Sequence, residues 1–447
     1  MMPEAISRRA RRSPLFRRGL VAACLFITAG APHTARAQAT TVATTRAPVP
    51  APQSPVPFSL YISSESGDVV TRIRVDSTGW RVLRTIPVGL LPTEIAGPHN
   101  VAVAPDSKSW YVSISHGKPW GSVWRFDAES DTLLGRATVG LFPTTIGLSP
   151  DGNWAYVPDS DFHGDRGGKN TVSVIYTPTM RTTQKVPTCD MPHGSRWNHA
   201  GSRVYIACMM SDELVTMDPG AMSITQRVAL GSGTTMSMAE HQGMEAKQDS
   251  LLAKGDTAAA RAAAQSHAAT MTVGHDMSTM TAPKPTPKKA GAASSTMAGQ
   301  DPDCLTTYVS VSPDDRVIYL VCNHSNEVQE RDANTLALLR RAQTGIGAYN
   351  VEPSPNGALV VVTNKKQQSV SVFDAKTFKE LARIPTSKKI PHGIAFSPDG
   401  RYAFVTQESI GSDPGAVDAI DLVSLTRIAT MEIPRQPTGI AMRRDGR

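Results

Sequence analysis

Short runs in which apolar and polar residues alternate dominate the chain from Phe58 onward, and they are separated by turn residues. The stretch Pro391 to Ser409 sets the pattern: alternation through Ile394 and Phe396, a turn at Ser397-Pro398-Asp399-Gly400, and alternation again through Tyr402 and Phe404. This predicts a β-hairpin. Related turns begin at Ala104, Ser149, Asn198, Ser312, Ser354 and Arg443. Successive turns stand roughly 42 to 49 residues apart, except for one step of about 114, and a period in the forties suits a four-stranded propeller blade.

Each repeat carries a second strand of one type, as in Trp110-Tyr111-Val112-Ser113, Val204-Tyr205-Ile206-Ala207 and Val360-Val361-Val362-Thr363. A third and a fourth strand follow, as in Ser369 to Asp374 and Glu380 to Ile384. Such a small sheet buries its faces only by stacking on neighbours. The repeats open near Phe58 with a second strand and end at Pro437 to Met442 with a first strand. These complete one another, so the expected fold is all-β: a seven-bladed β-propeller over 58–447, closed by a C-terminal inner strand in the N-terminal blade.

The first residues read differently. A basic segment with Arg8, Arg9, Arg11, Arg12, Arg17 and Arg18, an apolar run from Gly19 to Ala31, and Ala35-Arg36-Ala37 have the form of a secretory signal over 1–37. The expected location is the periplasm or the cell exterior, reached by general secretion or by the twin-arginine route. Residues 38–57, rich in Thr, Ala and Pro, read as a disordered linker.

That segment also changes the charge. Of the formal net charge of +7, seven arginines against Glu4 within residues 1–37 supply six, leaving about one for the rest. Nothing then favours a nucleic acid as partner. No later apolar run approaches the ~20 residues of a membrane span, and a monomer is expected.

Four cysteines remain beyond residue 37: Cys189 and Cys208, 19 apart, and Cys304 and Cys322, 18 apart. Of three possible connectivities, strand pairing favours Cys189 with Cys208 and Cys304 with Cys322. The expected register sets His193 opposite Cys208, so the loop holding Cys189 must fold back.

Aligned on the turns, one position begins every inner strand: His99, Thr144, His193, Thr307, Tyr349, His392 and Thr438. All seven are expected at one mouth of the central channel. The second-strand ends bring His116, Asp159, Cys208, Met209, Met210, Cys322 and His324 to the same face, with His163 in a Gly-rich loop beside it. The Pro-His-Gly entry is either a turn device whose imidazole bonds a neighbouring blade, or part of a ligand or metal site.

The long step holds an insertion, 234–302, of low complexity, with an Ala-rich part, Glu245 to Ala269, of helical propensity. Seven of the seventeen methionines fall within it. His241 with Met244, His267 with Met271, and His275 with Met277 and Met280 pair imidazole with thioether, a donor set suited to copper. An incidental linker and a Met-rich contact surface for a protein are the other readings.

The repeated SPDG turns, Val362-Thr363-Asn364 after Val361 and the Pro-His-Gly strand entry resemble the YVTN-repeat β-propellers of secreted bacterial proteins. More distantly, the chain is similar to lactonase-type propellers and to the propeller domains of nitrous-oxide reductase and haem d1 nitrite reductase. The resemblance spans about residues 58 to 233 and 303 to 447 and implies the fold; one propeller hosts many functions. Two of those enzymes hold copper or haem at a propeller face. Three ring histidines are fewer than a multi-histidine copper cluster uses, however, and no Cys-x-x-Cys-His haem attachment occurs.

Common hydrolase and nucleotide motifs are missing from the sequence. The expectation is therefore a non-catalytic binding module. It takes a small ligand, a metal ion or a protein at the channel mouth, with copper held by His241, Met244, His267, Met271, His275, Met277, Met280, His99, His193 and His392. The alternative is a metal-dependent or lactonase-like hydrolase, or a redox accessory, using Asp159, Asp161, His163, Glu65 and Glu408 on the same face.

Overall fold

The computed structural model describes residues 51–89, 94–116, 120–162, 170–230 and 304–446. They form seven four-stranded antiparallel sheets arranged as propeller blades. In chain order these are blade 1 (58–87 with 437–444), blade 2 (98–138), blade 3 (147–187), blade 4 (192–229), blade 5 (306–343), blade 6 (348–385) and blade 7 (391–433).

Blade 1 is the composite expected from the chain ends. Its inner strand, Pro437–Arg444, pairs antiparallel with Phe58–Ser64, setting Leu60 against Met442 and Ile62 against Ile440. Phe58, Leu60, Ile62 and Ile440 join Phe404 and Val417 of blade 7 in one apolar cluster, so the closure is also a piece of core. Similar clusters fill the gaps between other blades, as a stacked sheet requires.

The SPDG turn has a local cause. In blade 7 Ser397 Oγ donates to Asp399 Oδ1 at 2.6 Å and accepts from Tyr402 N at 2.9 Å, while Gly400 N donates to Ser397 O at 2.9 Å. Gly400 has φ +71°, a region where a side chain is strained.

One irregularity recurs and positions the site. The ladder between first and second strands breaks from Pro98 to Val101, Pro192 to Ser195, Thr306 to Val309, Ala348 to Val351 and Pro391 to Ile394. Pro437 to Ile440 of blade 1 does the same. In blade 3 an isolated bridge at Pro143 precedes the two-residue strand Gly147–Leu148. Each break frees the carbonyl of the strand-entry residue from its own blade.

The freed carbonyls are claimed from the adjoining blade. Ser63 Oγ donates to His99 O at 3.0 Å, Ser113 Oγ to Thr144 O at 2.8 Å, Thr363 Oγ1 to His392 O at 3.1 Å and Thr406 Oγ1 to Thr438 O at 2.9 Å. Thr144 Oγ1 serves His193 O at 2.8 Å, and Thr307 Oγ1 serves Tyr349 O. Thr307 O receives the His193 imidazole, Nδ1 to O 3.0 Å. A ring of inter-blade hydrogen bonds thus surrounds the axis.

Both disulfides are present: Cys189–Cys208, Cα atoms 6.1 Å apart, and Cys304–Cys322, 4.3 Å apart. The register corrects one expectation. Pro192, not His193, stands opposite Cys208, because the ladder break removes His193 from the pairing. The insertion 234–302, with His241, Met244, His267, Met271, His275, Met277 and Met280, lies outside the described residues, as do 1–37 and His163.

Candidate functional site: an imidazole and phenol cluster at the channel mouth

The strand-entry position does gather at one end of the axis. The His99 ring lies 5.7 Å from both His193 and His392, centroid to centroid. Tyr349 stands 4.6 Å from His392 and 5.9 Å from His193, and Tyr308 5.2 Å from His193. The three histidines are buried, at 6%, 2% and 1% exposure, so they plug the channel rather than rim it.

Their hydrogen bonds differ. A carbonyl can only accept, so His193 Nδ1 carries a proton for Thr307 O, and its Nε2 lone pair faces the Tyr349 hydroxyl at 3.3 Å. Burial, together with the charge of His99, pushes its pKa down to about 3 against the Thr307 bond, so this imidazole is neutral. For His193, bonding to a neighbouring blade describes the role well.

His99 is held by a carboxylate. Glu65, on the short 3₁₀ turn Glu65–Gly67, receives His99 Nδ1 at 2.9 Å and His116 Nε2 at 2.8 Å. Burial alone would raise the Glu65 pKa, but the His99 charge and the hydrogen bonds from both imidazoles outweigh it and hold the pKa far below the usual carboxylate range. The ionised Glu65 accepts from His99 Nδ1, and His99 Nε2 is buried without a partner.

His392 is similar at the opposite nitrogen. Its Nδ1 is buried without a partner, and Nε2 is 3.9 Å from Glu408 Oε1. Glu408 is engaged by Lys365 Nζ at 2.7 Å, and that ammonium sits 3.5 Å from the Tyr349 ring centre. Burial and then the charge of Lys365 drive the His392 pKa well below its ordinary value, so it too is neutral.

The cluster therefore offers two free imidazole nitrogens, one each on His99 and His392. Among the described residues, no three His, Cys, Asp or Glu side chains form a ready metal cage. Asp159 is turned elsewhere: it accepts from Thr171 Oγ1 at 2.6 Å, Ser173 Oγ at 2.7 Å and Gly140 N at 2.8 Å. Cys208 and Cys322 are spent in the disulfides.

Sequence reasoning found the histidines but not their setting. Tyr308 occupies the residue after a strand entry, and Lys365 follows the Asn364 strand end, so both could have been found by carrying the repeat alignment one position further. Glu65 and Glu408 stand out in the sequence only as members of a polar cluster on this face; the pairing of Glu65 with His99 has no sequence signal, since it depends on a turn between the first two strands of the chain.

Residues 355–447 match the model of the cytochrome D1 heme domain. No curated protein matches the chain. Among solved structures, a periplasmic gluconolactonase of Pseudomonas aeruginosa superposes with TM-score 0.58 at 16% identity, over 86% of this chain and 99% of that one. Hydrazine synthase of Kuenenia stuttgartiensis gives 0.54 at 15%, over 80% and 94%. A putative 6-phosphogluconolactonase of Bacteroides uniformis gives 0.54 at 12%, over 86% and 99%. The chain is thus a seven-bladed β-propeller that is similar, over its last blades, to the cytochrome D1 heme domain.

Proposed function

We propose that the protein is an exported binding module whose site is the cluster around His99, His193 and His392, and that its ligand there is a copper ion. The observation that supports this is the pair of buried, unpartnered nitrogens, His99 Nε2 and His392 Nδ1. Leaving a buried polar atom unsatisfied costs about 1–3 kcal/mol, so an occupant that takes their lone pairs stabilises the mouth. Both imidazoles suit copper or another late transition metal. Glu65 behind His99 orients the ring and raises its basicity, as carboxylates do behind metal-bound histidines.

The insertion extends the reading. His241, Met244, His267, Met271, His275, Met277 and Met280 form a second, softer donor set, which suits capture of Cu(I). Two disulfides accord with an oxidising compartment, and the signal-like residues 1–37 with export. Among the described residues no helix is long and apolar enough to cross a membrane.

A haem does not fit the cluster. A macrocycle needs one open face above an axial imidazole, whereas His392 is packed by Tyr349 at 4.6 Å, His99 at 5.7 Å and Tyr308 at 6.2 Å.

Titration of the full chain with Cu(I) against a chromophoric chelator tests the proposal. One equivalent is expected to vanish in a His99→Ala/His392→Ala double variant, and weaker equivalents in His275→Ala/Met277→Leu/Met280→Leu. Identical titrations for all three proteins would end the copper reading.

The Glu65–His99 pair favours a second reading. A carboxylate holding Nδ1–H with Nε2 free is the arrangement of a general base. The gluconolactonase among the similar structures makes lactone hydrolysis the reaction to try. A rate above buffer that disappears in His99→Gln would support it; no rate leaves the binding reading standing.

A further inference from the structure

Beyond the histidine plug, a cavity of about 430 Å³ runs along the axis from Tyr308 to the turns at Pro105 and Pro355. Its walls are divided by blade. Blades 4 to 6 supply Arg196, Tyr308, Asn350 and Glu352, whereas blades 7, 1, 2 and 3 supply Gly393, Ala395, Gly439, Ala441, Ala102 and Gly147 alongside Ile394, Phe396, Ile440 and Met442. A polar sector faces a sector of small and apolar residues.

The polar sector is internally neutral. Arg196 of blade 4 reaches past blade 5 to pair with Glu352 of blade 6, and Ser310 Oγ donates to Glu352 Oε2 at 2.7 Å. Among the described residues, no other charged side chain lines the cavity. Two polar atoms remain without partners: Asn350 Oδ1, in a side chain 4% exposed, and Arg196 Nε. The polar groups on the small-residue side are satisfied, since Asn100 Oδ1 accepts from Ile146 N at 3.2 Å and Thr145 Oγ1 donates to His193 O at 2.8 Å.

We infer that this channel binds a small, uncharged, hydroxyl-bearing molecule, one of whose hydroxyl groups donates to Asn350 Oδ1 while another accepts from Arg196 Nε. A hydroxyl both donates and accepts, which is what the two orphaned atoms need. Neutrality follows from the ion pair: an anion near Arg196 meets Glu352, and a cation near Glu352 meets Arg196. The carbon skeleton lies against the apolar sector, among Gly393, Ala395, Gly439 and Ala441. This site shares Tyr308 with the imidazole cluster but uses neither of its unpartnered nitrogens, so a failure of either assignment leaves the other intact.

Saturation-transfer NMR on the full chain tests it, with glucose, ribose and myo-inositol as neutral probes and glucuronate and glucosamine as charged ones. At least one neutral probe is expected to gain signal, and that signal to fall at least fivefold in Asn350→Ala and in Ala395→Leu, which fills the small-residue wall. Circular dichroism melts identify variants that have not folded, and Asn350→Ala carries the test if Ala395→Leu fails. The inference is overturned by no signal from any neutral probe, by signal that neither substitution reduces, or by a charged probe that outcompetes the neutral ones.

Discussion

Glu65 Oε2 lies 2.9 Å from His99 Nδ1 while its other oxygen lies 2.8 Å from His116 Nε2, so a single carboxylate orients two imidazoles from blade 2. Removing it strands His99 Nδ1 in a buried site. Glu65→Ala is expected to destabilise by about 3 kcal/mol, and Glu65→Gln by less, because the amide oxygen still accepts one bond. Urea unfolding at neutral pH, compared among the three proteins, measures both.

Gly97 guards the same carboxylate. Its φ is +63°, and a Cβ there would stand 1.9 Å from His116 Cδ2. Gly97→Ala should therefore push His116 off Glu65 and cost about 1–3 kcal/mol. The His116 ring resonances report the displacement directly; unchanged shifts would contradict it.

Asp159 makes stability depend on acidity. Burial raises its pKa to about 6 against the hydrogen bonds from Thr171, Ser173 and Gly140. The folded state then holds a proton that the unfolded chain has lost between about pH 4 and 6, so stability falls as pH rises through that window. This group's share is on the order of 2–3 kcal/mol. Asp159→Asn should flatten the fall, as read from melting temperatures between pH 4 and 7.

Closure of blade 1 joins strands from opposite ends of the described chain in one sheet. Removing residues 437–446 exposes the edge of Phe58–Ser64 and opens the core around Phe58, Leu60 and Phe404. The truncated chain is expected to lose its cooperative melt. A transition within a few degrees of the intact protein would show that the seam contributes little.

Reduction should also be felt. Each disulfide closes a loop of about 20 residues, for which the chain-entropy estimate is roughly 3 kcal/mol. Cys304→Ala/Cys322→Ala is expected to lower the melting temperature by several degrees, and a reducing agent to add little further beyond the loss of Cys189–Cys208.

The fold could be read from the turns because Ser-Pro-Asp-Gly requires only its own atoms to form, as the Ser397, Asp399 and Gly400 bonds illustrate. The disulfides followed from register, which is also local. The mouth was legible only as a set of positions. Whether an imidazole bonds a carbonyl, a carboxylate or nothing depends on neighbours from other blades: Thr307 for His193, Glu65 for His99, Lys365 and Glu408 beyond His392. Periodicity reveals who stands in the ring and not who answers across it. The Arg196–Glu352 pair, 156 residues apart, is of the same kind.

The split of the channel wall by blade has a consequence for recognition. A ring built from one repeated unit has seven interchangeable seats, and a guest in it could rotate freely among them. Confining the charged and the unpartnered side chains to blades 4 and 6, opposite a wall of small and apolar residues, turns a revolving seat into a keyed socket.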